Sequence, residues 1–311
     1  MSGQRGRIVL VTRRTRLDEL VARFNTLEQA RFYVEHLGAD FADYAREHAH
    51  YETATRDAET ILADFGRVQR LDRAFLPNFI FPPDALIVVV GQDGLIANTL
   101  KYLTGQPVIG VNPDPARWDG VLVPFGVKDL RRITSAALKN KRTLRTVTMA
   151  HVCLSDGQEL YAVNDLFVGP RTHVSARYGI QLGDRMENQS SSGIIVSTGL
   201  GSTGWLRSLL AGAGGIAGGL PEGELQVLRE KGAAWDSNHL YFTVREPFPA
   251  RSSQASLVFG RVTRESPLRI VSQMPDYGVI FSDGVEKDFL QFNSGMEAVI
   301  QLADRVGYLV E

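Results

Sequence analysis

The chain is poor in cysteine, in long apolar runs and in net charge, and each shortage excludes something. Its single cysteine, Cys153, rules out an internal disulfide and a cysteine-based zinc site. This fits a reducing compartment, and the expected location is cytoplasmic. No apolar run approaches the roughly 20 residues needed to span a bilayer, so no membrane partner is expected. The amino-terminal MSGQRGRIVLVTRR holds too short an apolar run for a signal peptide. A formal net charge of −1 leaves no field to draw the molecule to nucleic acid. The six histidines are scattered, without His-x-x-x-His or His-x-x-Glu spacing, so no structural metal is expected. Repeats and low-complexity segments are also lacking. What remains is ordinary globular composition, 44% hydrophobic and 22% charged over 311 residues, a length that suits two domains.

The stretch around which the chain is organised is DALIVVVGQDGLIANTLKYL, residues 84–103. Ala85 to Val90 is an unbroken apolar run rich in β-branched residues, the pattern of a strand buried on both faces. It stops at Gly91-Gln92-Asp93-Gly94, and a helical pattern follows at once. Gly91 and Gly94 allow a tight turn with backbone N–H groups close to a ligand, and the helix N-terminus favours phosphate. An acid at that point repels phosphate, so Asp93 is the candidate for handling a proton or a metal ion beside it. The plain alternative is an Asp that caps the helix.

Around this stretch, strand and helix alternate. Ile8 to Thr12 reads as a strand ending in Arg13, Arg14 and Arg16, where an open parallel sheet places its crevice; Arg13 is a candidate phosphate contact, or part of a solvated basic turn. Leu17 to Phe65 is helical in character, with a stripe of Phe41, Tyr44, Ala45, His48 and Tyr51 that suits core or a subunit contact. Arg67 to Asp72, Pro107 to Asn112 and Gly120 to Phe125 read as strands, and Lys128 to Lys139 as a helix. After Lys139-Asn140-Lys141-Arg142 the character changes. Short β-rich runs take over at 145–153, 159–168, 173–181, 193–198, 239–244, 256–262, 268–272 and 277–282, with helical pattern at Ser202 to Leu210 and Glu222 to Arg229. The expected architecture is therefore α/β followed by β: a Rossmann-like α/β domain over 1–142, a β-sandwich over 143–296, and a segment 297–311 returning to the first domain.

A second glycine-rich turn lies in GIIVSTGLGSTGW, residues 193–205. Thr198, Ser202 and Thr203 supply hydroxyls, and Gly199, Gly201 and Gly204 expose amides. Ser202 or Thr203 suits the N-cap of the helix that follows. The loop lacks the lysine of a Walker loop. Trp205 suits either the core or the face of a base. Asn164-Asp165 is a polar pair inside an apolar run, so one member faces the interior unless the strand bends or meets a ligand. Such a pair can read a base and a ribose, or can mark a bulge at a sheet edge.

Taken in order, GQDG at 91–94, ND at 164–165, SGIIVSTGLGSTGW at 192–205 and SDG at 282–284 resemble the marks of the NAD kinase family. Those marks are a GGDGT turn, an Asn-Glu/Asp pair, a DGxxxSTPTGSTAY loop and a late DG turn. NPDPARWDG at 112–120 and VREPFPAR at 244–251 look more like the mitochondrial-type branch than the bacterial housekeeping branch. The resemblance implies an α/β domain and a β-sandwich with the site in the cleft, assembly as a homodimer or larger, and ATP, NAD and Mg²⁺ as ligands. It implies Asp93 as proton acceptor, with Gly91, Gln92 and Gly94 in the nucleotide turn. It places Asn164 and Asp165 on the adenosine part, and Thr203, Gly204, Trp205 and Ser208 on the substrate loop, where the hydroxyls of Thr198 and Ser202 are further candidates for ligand contact. Gln92, Leu95, Ser192 and Gly199-Leu200 depart from the family pattern. The activity implied is phosphoryl transfer to the 2′-hydroxyl of the adenosine ribose of NAD. The alternatives are an NAD- or NADP-binding relative without turnover, and a kinase of the same fold acting on a lipid or sugar.

Overall fold

The computed structural model describes residues 6–219, 223–285 and 288–311. The head of the amino-terminal run, residues 1–5, and Glu222, expected to open a helix, lie outside the described residues. The chain divides into two compact units, residues 1–145 with 308–311, and residues 146–307.

The first unit is built on a parallel sheet. Strands β1 (Gly6–Thr12), β2 (Gly66–Asp72), β3 (Leu86–Val90) and β4 (Pro107–Asn112) lie in the order β2-β1-β3-β4. β4 also pairs with Tyr308 and Leu309 at its start and with the two-residue β5 (Phe125–Gly126) at its end. All five residues of β3 are buried, as a strand covered on both faces requires. Alternate strand residues, among them Ile8, Leu10, Val88, Val90 and Ile109, pack with Tyr51, Ala58 and Leu62 of one helix and with Leu130 and Ile133 of another.

The region 17–65 is three helices, not one: α1 (Arg16–Phe24), α2 (Leu27–His36) and α3 (Phe41–Ala63). Asn25, at φ 68°, ends the first, and Thr26 caps the second by accepting from the Gln29 amide. Asp40 caps α3 through the Ala42 amide. Helix α4 (Asp93–Leu100) follows β3 directly, and α5 (Leu130–Ala137) follows β5 after a single 3₁₀ turn. The strand expected over Gly120 to Phe125 is an irregular loop apart from β5. Gly120 has φ +66°, and the amides of Val121 and Leu122 are spent on a side chain rather than on a neighbouring strand.

The second unit is a β-sandwich. One layer runs β10-β9-β14-β17, from β9 (Ala176–Leu182), β10 (Arg185–Ser191), β14 (Leu268–Ser272) and β17 (Glu297–Val310), with β6 (Leu144–Leu154) on β17 and β7 (Glu159–Ala162) on β6. The other is antiparallel in the order β13-β12-β11-β8-β15-β16. Its strands are β8 (Asp165–Pro170), β11 (Ile194–Ser197), β12 (Leu240–Val244), β13 (Phe259–Val262), β15 (Gly278–Ser282) and β16 (Phe289–Gln291). Inward residues of both layers, such as Val152, Tyr178, Ile180 and Ile300 against Val168, Ile194, Phe242 and Ile280, make one core. Helix α6 (Trp205–Ala217) sets Trp205 and Leu209 on the other face of the second layer, against Phe167, Ile195 and Val279, and α7 (Glu224–Lys231) joins α6 through Leu206, Leu210 and Leu228.

Candidate functional site

In the first unit the candidate residues gather at the carboxyl ends of the parallel strands, where open α/β sheets bind their ligands. Tyr51 of α3 ties two of these ends together: its hydroxyl donates to the Val90 carbonyl at 3.0 Å and accepts from the Arg13 amide at 2.8 Å. Asp93 is the first residue of α4, and its carboxylate faces the loop after β4. Oδ1 accepts from the Leu122 amide at 2.8 Å and Oδ2 from the Val121 amide at 3.1 Å. The acid is therefore held in one orientation, with its remaining lone pairs free for a second donor.

The two departures in the turn prove compatible with this arrangement. Gln92 has φ −107° and ψ 168°, extended backbone that any residue adopts, so its Cβ imposes no strain. It caps α4 without a side-chain hydrogen bond. Leu95 is 3% exposed and packs toward Gly91, so it fills the interior beneath the turn rather than its mouth.

Arg13 is the candidate whose surroundings were least visible in the sequence. Its guanidinium donates to Glu47 at 3.1 Å and to the Arg14 carbonyl at 2.9 Å and lies over the Tyr51 ring, while its buried Nε has no hydrogen-bond partner. Glu47, only 5% exposed, also accepts from Arg16. Burial alone would disfavour the charge on Glu47, but Arg13 and Arg16 outweigh it and hold its carboxyl below the usual range. Arg16 continues to Asp43 at 2.9 Å, and Arg117 grips Asp43 with two parallel bonds of 2.9 and 2.6 Å. Arg117, and then Arg16, hold the Asp43 carboxyl well below its ordinary value. With Arg46 also 3.7 Å from Asp43, four guanidinium groups thus share two carboxylates. Sequence spacing could not have revealed this, because the partners lie on α3 and in the loop after β4.

In the second unit the polar pair and the second glycine loop come together. The run 159–168 is not one strand. It breaks at Val163 and Asn164 as the chain passes from one layer, as β7, to the other, as β8. At the break, backbone amides belong to neither sheet, and Asp283 takes them. Its carboxylate accepts from Val163 at 3.1 Å, Asn164 at 2.7 Å and Asp165 at 3.4 Å. Asp283 sits at φ 54° in a turn closed by the Val285 amide on the Ser282 carbonyl. The late DG turn is thus a clamp on the polar pair as well as a chain reversal.

The Asn164 carbonyl accepts from the Thr198 amide at 2.9 Å. A Cβ on Gly201 would stand 2.0 Å from that carbonyl oxygen, so only glycine lets the loop lie so close. Thr198 and Ser202 are fully buried, and their hydroxyls serve the loop itself: Thr198 donates to the Val163 carbonyl at 2.6 Å, and Ser202 donates to the Gly199 carbonyl at 2.6 Å. They support the site from beneath instead of facing outward. Nor does Ser202 or Thr203 cap α6. The cap is Gly204, with no side-chain bond, which leaves the first amides of α6 without a side-chain acceptor. Thr203, Gly204 and Ser208 are exposed around that end. Trp205 is half-buried, stacked on Phe167 at 5.8 Å and 9° with the Arg245 guanidinium 5.3 Å from its centroid, so the indole already has ring and cation neighbours. Trp205, Phe167, Phe281, Phe289, Arg171 and Arg245 line a cavity of about 210 Å³.

Asp165 opens β8 and is 8% exposed, with no hydrogen bond to its carboxyl group among the described residues. Burial, with the Asp283 charge adding to it, pushes this carboxyl up to about 7. Among the described residues no three His, Cys, Asp or Glu converge as metal ligands. Among the same residues no helix is long and apolar enough to cross a membrane.

An α/β unit with an acid at the turn after its central strand, and a β-sandwich with a polar pair against a glycine loop, define the class: a two-unit fold of α/β followed by β. No protein-family model matches the chain, and no curated protein does. Solved structures do. Yeast NADH kinase in complex with NADH superposes with a TM-score of 0.56 at 16% identity, over 99% of this chain and 84% of that one. An NAD kinase from Archaeoglobus fulgidus in complex with ATP gives 0.55 at 17%, over 98% and 93%. The chain has the fold of these NAD kinases.

Proposed function

We propose that the chain is an NAD kinase-like phosphotransferase that moves a phosphoryl group from ATP, or another phosphate donor, to the 2′-hydroxyl of the adenosine ribose of NAD, giving NADP. The observation that carries this reading is the Asp165 carboxyl: buried, without a hydrogen bond of its own, and next to a loop whose exposed members ring an uncapped helix end. A buried carboxyl without a donor costs stability. Ribose hydroxyls supply the missing donors, and the first amides of α6 donate to phosphate oxygens. Asn164, Thr203, Gly204, Trp205 and Ser208 bind the same ligand beside Asp165, with Thr198 and Ser202 behind them. The same fold carrying NADH in one neighbour and ATP in the other supports the choice of ligands.

Asp93 has the chemical role. A hydroxyl attacks phosphorus poorly until its proton is accepted, and a carboxylate in hydrogen-bond reach contributes about 10²–10⁴-fold. Gly91, Gln92 and Gly94 shape the turn that carries it, and Arg13 adds positive charge at the same strand ends. The remaining work is positioning and neutralisation of phosphate charge, for which Mg²⁺ enters with the donor's phosphates as part of the substrate. Asp93→Asn is expected to abolish NADP formation while NAD binding, measured by calorimetry, stays within about twofold. Unchanged turnover in that variant removes Asp93 from the mechanism.

A second reading, binding without turnover, is favoured by one feature: both Asp93 oxygens already take a backbone amide. A rise in melting temperature with NAD, but no product with ATP, GTP or polyphosphate, would select it. A lipid or sugar acceptor is tested in the same assay by acceptor screening. We also propose a cytoplasmic homodimer, closer to the mitochondrial-type branch than to the bacterial housekeeping branch on the strength of residues 112–120 and 244–251. Light scattering giving a monomer mass would remove the dimer.

A further inference from the structure

The reading of Asp93 as proton acceptor leaves open what holds that carboxylate still. Its two amide donors sit on a loop that is neither strand nor helix, residues 113–124, between β4 and β5. The loop is fastened at its base by Asn112, whose Oδ1 accepts from the Asp114 amide at 3.0 Å and whose Nδ2 donates to the Trp118 carbonyl at 2.8 Å. Near its middle it lies against β4 so tightly that a Cβ on Gly110 would be 2.1 Å from the Leu122 carbonyl oxygen. Its outward side is fastened to α3. Arg117 meets Asp43 with a two-pronged pair, and Asp114 faces His50 at 3.2 Å.

We infer that Asp43 and Arg117 are positioning residues, a clamp between α3 and the loop that aims the Val121 and Leu122 amides at Asp93 and so fixes the proton acceptor. Neither touches Asp93. The clamp acts four residues upstream of the first amide, and Asp43 is itself held by Arg16, which shares Glu47 with Arg13. The network therefore runs from the end of β1 to the turn after β3 through the surface of one helix. Arg13, Arg16 and Arg117 each already have Asp43 or Glu47 as a carboxylate partner, which argues for a mechanical tie over an open anion site. Geometry matters here because a shift of about 1 Å at a reacting group can cost on the order of 10²-fold in rate.

The inference rests on the proposed role of Asp93, and the experiment separates the two. Backbone hydrogen exchange is followed without substrate in the wild type and in Arg117→Ala, Arg117→Lys and Asp43→Asn. Kinetics of NAD phosphorylation are followed in the same proteins and in Asp93→Asn. Exchange at 120–122 is expected to rise about tenfold or more in Arg117→Ala and Asp43→Asn, while β1 and β3 stay protected. kcat is expected to fall about 10–100-fold with KM within about twofold, because the clamp orients the acid and does not bind substrate. Lysine cannot make the two-pronged contact, so Arg117→Lys should resemble Arg117→Ala in kcat even where it preserves the fold. Free guanidinium should restore part of the rate to Arg117→Ala. Unchanged exchange at 120–122 overturns the clamp whatever the turnover. An equal fall in kcat/KM carried by KM alone also overturns it. Unchanged turnover in Asp93→Asn overturns the proton-acceptor reading instead, and the exchange data then judge the clamp by themselves.

Discussion

At the scale of single residues, Asp165 gives the plainest link between geometry and a measurable quantity. Its folded carboxyl keeps its proton up to a pH of about 7, while in the unfolded chain it loses it near 3.8. Between those values the folded state binds more protons than the unfolded one, so stability falls as pH rises through that window and levels off above it. Asparagine is neutral throughout. Asp165→Asn should therefore differ little from the wild type at pH 4 and be the more stable protein at pH 8, by something on the order of 2–4 kcal/mol. Melting temperatures at pH 4, 5, 6, 7 and 8 check this, and a difference that ignores pH would refute it. The same buried charge is the reason to expect a ligand. Donors that pair with it on binding recover the desolvation cost, so NAD should stabilise the wild type more at pH 8 than Asp165→Asn.

At the scale of elements, the passage from β7 to β8 shows what a pattern of residues can and cannot say. The apolar run 159–168 announced a buried strand, and the Asn164-Asp165 pair announced a disturbance in it. That the disturbance is a change of layer follows only from Asp283, which lies far along the chain and takes the amides that neither sheet pairs. Asp283→Asn keeps the left-handed turn and one acceptor oxygen, but it loses the charge and puts an NH₂ where Oδ2 accepts from the Val163 amide. It should cost about 1–3 kcal/mol, measured by urea unfolding at pH 5, where Asp165 is protonated and relief of its repulsion does not mask the loss. A neutral outcome would mean that the clamp contributes nothing. Elsewhere legibility follows the same rule. Pro107 to Asn112 and 268–272 were visible as strands because apolar residues fill them. β10 was not, because Arg185–Ser191 is mostly polar and gains its place by pairing with β9. The break at Asn25 hides inside a helical composition, since one residue in a left-handed conformation leaves no periodic trace. Among the candidate residues, Asp93, Asn164 and Asp165 stood out as polar residues in apolar settings. Glu47, Asp43 and Arg117 did not, because charged residues on an exposed helix and loop look like any solvated surface until their partners are seen.

At the scale of the whole molecule, the order of the chain matters more than its composition. The first unit begins at the amino terminus, yet its parallel sheet takes Tyr308 and Leu309 beside β4. Val310 enters the core of that unit at 3% exposure, Leu309 is 5% exposed, and the Glu311 amide closes on the Thr143 carbonyl at 3.0 Å. The second unit is thus spliced between the bulk of the first and its last four residues. Pairing across so long a separation is entropically expensive and comes late in folding. Removing residues 308–311 should therefore strip two buried apolar side chains and several main-chain bonds from the first unit. At about 1.5–3 kcal/mol for each such side chain, the loss is roughly 3–6 kcal/mol, comparable to the stability of a whole domain. The truncated protein should show faster amide exchange at Val108 to Asn112, next to the vacated edge, with exchange in β11 and β12 of the second unit little altered. Since β4 leads into the loop that orients Asp93, turnover should fall with the exchange protection of β4. If β4 stayed protected, the returning segment would be a surface tail, and β4 would owe its place to β3 and β5 alone.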